Sequence, residues 1–139
     1  MDKTYQPKAK EVKRSWYLVD AGNQILGRLS TQCANYLTGK NKVSYSQHMD
    51  SGGYVVIINA KKIKVTGNKA KNKVYKGHSG YPGGLKQVTY AKMLDEHPER
   101  IIYKAISGML PDNRLKKDRL ARLKIYKDDK HPYANLVSK

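Results

Sequence analysis

The sequence predicts an α/β fold with a mostly parallel sheet, and three stretches carry that prediction. The first is Tyr54-Val55-Val56-Ile57-Ile58-Asn59, an apolar run with no apolar–polar alternation. Such a strand is covered on both faces, as in parallel sheets beneath helices. The second is Leu26, Leu29, Cys33 and Leu37, spaced by three and four along one face of an amphipathic helix. The third is Trp16-Tyr17-Leu18-Val19-Asp20, a short run of strand formers ahead of that helix. Strand, helix and strand within about forty residues fit one right-handed βαβ unit.

The elements follow in order. A basic arm, residues 1–14, precedes the first strand. Ala21-Gly22-Asn23 turns the chain into the first helix, and Gly39 ends it. After the second strand, Ile63 and Val65 alternate with lysines, so this stretch reads as extended and half exposed. Thr66-Gly67-Asn68-Lys69 is a turn, and Lys73-Val74-Tyr75-Lys76 is a further strand. Residues 77–84 form a glycine-rich loop carrying the rings of His78 and Tyr81. Thr89 is placed to cap a short helix ending near Pro98. Pro98 and Glu99 then open another helix, because proline suits the first helical position and an acid suits the dipole. Its apolar face is Ile101, Ile102, Ala105, Ile106, Met109 and Leu110, and Pro111 stops it. Asp112 or Asn113 can cap a basic helix running to about Leu123. Leu123-Lys124-Ile125-Tyr126 is a last strand. The organisation is therefore an arm over 1–14, one α/β domain over 15–127 and a polar, extended tail over 128–139.

Charge decides the partner. The chain has 139 residues, with 28 Lys and Arg against 11 Asp and Glu, for a net charge of +17. Leu, Ile and Val make up only about a fifth of it, near the composition of disordered chains. They are gathered into the segments above, which supports a folded domain. Membrane spans need about 20 apolar residues, and no run approaches that. Met1-Asp2-Lys3-Thr4 is polar and lacks the core of a signal peptide. The single cysteine, Cys33, lies on the apolar helix face and reads as a core residue. A cytoplasmic protein is expected. From Ser51 to Leu94 there is no acid. An uncompensated excess of this size opposes a compact fold and calls for a polyanion. Anionic membrane would need an amphipathic helix with bulky apolar residues opposite its lysines, and none stands out. Nucleic acid is the expected partner.

Catalytic patterns are missing. His48, His78, His97 and His131 form no compact metal-ligand spacing with one another, Cys33 or acids. There is no Gly-x-Ser-x-Gly elbow, and neither Gly39-Lys40-Asn41-Lys42 nor the loop at 77–84 has the Walker or dinucleotide pattern. No enzyme activity and no cofactor are expected. The glycine-rich loop instead suits RNA: backbone N–H groups approach phosphates, and rings stack on unpaired bases. His78 and Tyr81, flanked by glycines, are candidate RNA contacts, together with Lys69, Lys71, Lys76 and Lys86. Tyr75 suits inward packing equally well. The arm offers Lys8, Lys10, Lys13 and Arg14. Arg28, Lys40, Lys42 and His48 extend the set. On the late helix Lys116, Arg119 and Arg122 recur every three residues and read as a phosphate-facing stripe, beside Arg114, Lys117 and Lys124.

Several of these motifs coincide with one known family. Trp16-Tyr17-Leu18-Val19-Asp20-Ala21 and Leu26-Gly27-Arg28-Leu29-Ser30-Thr31 resemble the opening of bacterial large-subunit ribosomal protein thirteen. Asp50-x-Gly52, Val65-Thr66-Gly67-Asn68-Lys69 and His78-Ser79-Gly80-Tyr81-x-Gly83-Gly84 continue the resemblance. Gly108-Met109-Leu110-Pro111 is its most diagnostic stretch. The resemblance runs in order through nearly the whole chain. It implies a three-layer α/β/α fold with a small, mostly parallel sheet, here counted as four strands. It implies binding to large-subunit rRNA early in assembly, with neighbouring ribosomal proteins as partners. Catalysis and cofactors are not implied. Messenger RNA is a secondary candidate ligand.

Overall fold

In the computed structural model, which describes residues 5–137, the central strand is the unalternating run. β2 (Tyr54–Ile58) lies between β1 (Trp16–Asp20) and β5 (Leu123–Ile125), parallel to both. Val56 is opposite Leu18 on one side and Lys124 on the other. Val55, Val56 and Ile57 are all fully buried, which is why no polar residue interrupts them.

α1 (Leu26–Thr38) crosses from β1 to β2. Leu29, Cys33 and Leu37 are completely buried on the face their spacing predicted. Burial pushes the Cys33 thiol up to about 12, so it behaves as a small apolar side chain. Gly39 ends the helix at φ +84, and its N–H donates to Asn35 O at 2.9 Å. α4 (Pro98–Met109) begins with proline at its first position and buries Ile101, Ile102 and Ile106 against α1. Each fully buried aliphatic of this kind is worth roughly 1.5–3 kcal/mol relative to exposure. α3 (Tyr90–Glu96) adds Tyr90 and Met93 to the same core. Thr89 sits at the start of α3, but its hydroxyl makes no capping bond. α5 (Leu115–Ala121) packs on α1 and β5, and Asn113 caps it, its Oδ1 accepting from Leu115 N–H at 3.1 Å.

The α/β class is as expected, but the sheet has three strands and not four. The strand expected around Lys73–Lys76 is real: it is β3 (Val74–His78). It pairs antiparallel with β4 (Leu85–Thr89) in a separate hairpin. The Ile63–Val65 stretch contributes one parallel bridge, Lys64 with Ile25. Lys64 N–H donates to Gln24 O and Leu26 N–H to Lys64 O, both at 2.9 Å. The turn expected at 66–69 runs into a single helical turn, α2 (Lys69–Asn72).

The expected three layers also differ in kind. Val19, Val55, Ile57 and Leu123 face the core that α1, α3 and α4 share. On the other face Trp16 stacks on Tyr54 at 4.3 Å and on Tyr133 at 5.1 Å. Strand side chains alternate between faces, so these rings lie across the sheet from the helical core. The C-terminal segment, expected as extended, instead coils in turns and lays Tyr133 over this face. Residues 1–4 of the arm and 138–139 of the tail fall outside the described residues.

Candidate nucleic-acid interface

The hairpin presents the predicted loop residues. Cross-strand register pairs Val74 with Thr89, Lys76 with Gln87 and His78 with Leu85. By alternation these six share one face, and all six are exposed. Tyr75 and Val88 are opposite each other on the inner face and pack against the core. Inward packing is therefore the outcome for Tyr75. The Lys104 and Lys73 ammonium groups lie 5.0 and 5.4 Å from its ring centroid, within cation–π range.

At the hairpin tip, Gly80 and Gly83 adopt φ +85 and +70, which glycine takes without strain. Gly84 N–H donates to Tyr81 O at 3.0 Å and closes the turn. Tyr81 is thrust outward with 75% of its surface exposed. Gly80 N–H donates to His78 Nδ1 at 2.9 Å. A neutral imidazole that accepts at Nδ1 carries its proton at Nε2, so His78 offers an oriented donor to solvent.

Exposed cations surround the hairpin. Lys69 and Lys71 project from α2, and Lys86 from β4. Lys8, Lys10 and Lys13 are exposed on the arm, as are Arg28 on α1, Lys40 and His48 after it, and Arg114 and Lys117 near α5. Lys124 is half buried in β5. Lys116 is half buried and salt-bridged to Asp112. Lys42 is partly buried, its ammonium donating to Lys13 O at 2.6 Å and Ser51 O at 2.9 Å.

Arg119 and Arg122 correct the expected phosphate-facing stripe. Both are buried, at 2% and 7% exposure, and both turn toward Asp50. Arg122 grips Asp50 with two hydrogen bonds, Nη1 to Oδ2 at 2.5 Å and Nη2 to Oδ1 at 2.6 Å. It also donates to Gly53 O at 3.2 Å and to Leu37 O at 3.3 Å, a carbonyl in the last turn of α1. Arg119 Nε stands 3.7 Å from Asp50 Oδ1, an ion pair without a hydrogen bond. Arg14, also expected at RNA, donates to Gly52 O at 2.8 Å and pairs with Asp50 at 3.5 Å. Burial alone pushes the Asp50 carboxyl up. Hydrogen bonds from Arg122, and the charges of Arg122, Arg14 and Arg119, outweigh that and hold it below the usual carboxylate range. Gly52 permits the packing: a Cβ there would lie 1.7 Å from Leu37 O.

Sequence reasoning missed Asp50 as the hub of this cluster, and it missed Lys73 and Lys104 at Tyr75. Asp50 is the last acid before the acid-free stretch, and Ser51-Gly52-Gly53 follows it. That is the one local sign of a close-packed corner.

Comparison of the sequence with known proteins gives the family. The family model described as Ribosomal protein L13 matches residues 14–132. A protein of Herpetosiphon aurantiacus named large ribosomal subunit protein uL13 is 52% identical over 133 residues, 96% of this chain and 92% of the relative. Its namesake from Synechococcus sp. is 53% identical over 96% of this chain and 89% of its own length. One from Geobacter sp. is 50% identical, covering 95% and 93%. The chain thus belongs to the ribosomal protein L13 family, whose members are structural, non-enzymatic components of the cytoplasmic ribosome.

Proposed function

We propose that the protein binds large-subunit rRNA and joins the large subunit early in its assembly, beside neighbouring ribosomal proteins. The observation that carries this reading is the hairpin and its surroundings. Lys69, Lys71, Lys76 and Lys86 are all exposed in a segment without a single acid, beside the outward ring of Tyr81. Phosphates release counterions when such lysines meet them, which supplies affinity and fixes position. Tyr81 and the Nε2–H of His78 add local fit to unpaired nucleotides. Exposed cations of the arm, of Arg28 and Lys40, and of Arg114 and Lys117 allow several RNA segments to be held together.

The test is filter binding of the full chain to large-subunit rRNA over a salt series. K69A and K76A each weaken binding and flatten the log–log salt slope by about 0.7–1. An unchanged slope for every exposed-lysine variant overturns the phosphate assignment. Preference for a short messenger hairpin over rRNA at equal salt would favour a regulatory role instead. Retention on large subunits through a high-salt wash tests the assembly role.

A further inference from the structure

A shallow cleft of about 530 Å³ opens between α4 and α5. Its walls are Tyr103 on one side and Asn113, Lys116 and Lys117 on the other, with Leu120 and Ala121 completing the apolar part. Tyr103 lies on the solvent side of α4, among the exposed Arg100 and Lys104, and is 45% exposed where Ile101 and Ile102 are fully buried. Among the described residues its ring stacks on no other ring and its hydroxyl makes no hydrogen bond. Asn113 Oδ1 is occupied by Leu115 N–H, which orients the amide and leaves the Nδ2 donors unused. Lys116 is held by Asp112, whereas Lys117 is exposed and has no acid partner among the described residues.

A free aromatic face, an oriented amide donor and an unpaired cation converge here. An apolar side chain from a protein neighbour would use the ring and Leu120 but would bury Lys117 without compensation. A nucleotide uses all three groups. We propose that this cleft seats one unpaired RNA base, stacked on Tyr103, its edge accepting from Asn113 Nδ2 and an adjoining phosphate held by Lys117. The proposal rests on the RNA-binding reading above and adds to it a site away from the hairpin.

The experiment uses the full chain and large-subunit rRNA, with filter binding across a salt series and ultraviolet crosslinking. Y103A loses roughly tenfold in affinity, the scale of one base stacked on a ring, with its salt slope unchanged. Y103F recovers most of that loss. K117Q lowers the slope by about 0.7. N113D keeps the cap acceptor, removes the donors and weakens binding. Crosslinking leaves a nucleotide adduct on the peptide Ile101–Lys104. If Y103A unfolds early, the adduct and K117Q decide the matter. Wild-type affinity in Y103A, or an unchanged slope in K117Q with no adduct, overturns the cleft and leaves the RNA reading standing. If the unaltered chain binds rRNA with no salt dependence, both fall.

Discussion

Arg122 and Lys76 carry the same formal charge in opposite settings. Arg122 is buried, with its guanidinium on Asp50, Gly53 O and Leu37 O. Lys76 stands on the outer face of a hairpin whose surroundings hold no acid in sequence from Ser51 to Leu94. The corner at Asp50 spends its cations inside the fold. It joins the end of α1, the 50–53 loop and the entry to β5. The hairpin keeps its cations for solvent and for whatever anion approaches. Arginine suits the first task because its planar fork matches a carboxylate and nearby carbonyls at once. Lysine suits the second, as a strongly hydrated point charge on a flexible stem.

The sharpest way to break this comparison is R122A. Removing one partner of a buried pair leaves Asp50 with weaker compensation and two carbonyls without donors. A loss of about 3–5 kcal/mol in chemical denaturation is expected. R122K should recover little, since a single ammonium cannot reproduce the bidentate grip. A loss below about 1 kcal/mol would show that the corner is not the clamp described here.

Acid comes next. The Asp50 carboxyl has a lower pKa in the folded chain than in the unfolded one. Its contribution is complete above the ordinary aspartate value of about 3.9 and is lost as pH falls through the lower folded value. Thermal unfolding followed downward from pH 5 should therefore steepen below about pH 4. D50N starts less stable and shows a shallower acid limb. An acid limb identical in wild type and D50N would remove Asp50 from the account.

The smallest effect on stability belongs to the hairpin. K69A and K76A leave the unfolding midpoint where it is, because neither side chain is packed, and act on RNA binding alone, weakening it and flattening its salt dependence. A midpoint that falls in these variants as it does in R122A would erase the distinction between the two regions.

The βαβ unit and α4 were legible because apolar spacing reports burial directly. Leu29, Cys33 and Leu37, and Ile101, Ile102 and Ile106, are buried where their period placed them. Charged spacing reports less. Lys116, Arg119 and Arg122 recur every three residues whether the helix faces water or an aspartate. The partner that buries the arginines lies 72 residues before Arg122. β4 escaped notice for a related reason. Leu85, Lys86, Gln87 and Thr89 are all exposed, so the hairpin gave no apolar alternation to read. Tyr103 falls off the apolar face of α4, which runs through Ile101, Ile102, Ala105, Ile106, Met109 and Leu110, so the spacing of that face says nothing about it.

Trp16 is the single tryptophan in the chain, and its ring lies against Tyr54 and Tyr133. Tyr54 comes from the adjacent strand, while Tyr133 arrives after every helix and strand has been synthesised. A growing chain can close its helical core while Trp16 still lacks its outer neighbour. The indole thus reports on whether the C-terminal segment covers this face of the sheet. A chain cut before His131 loses Tyr133 from the ring's surroundings, and its indole emission should differ from that of the full chain.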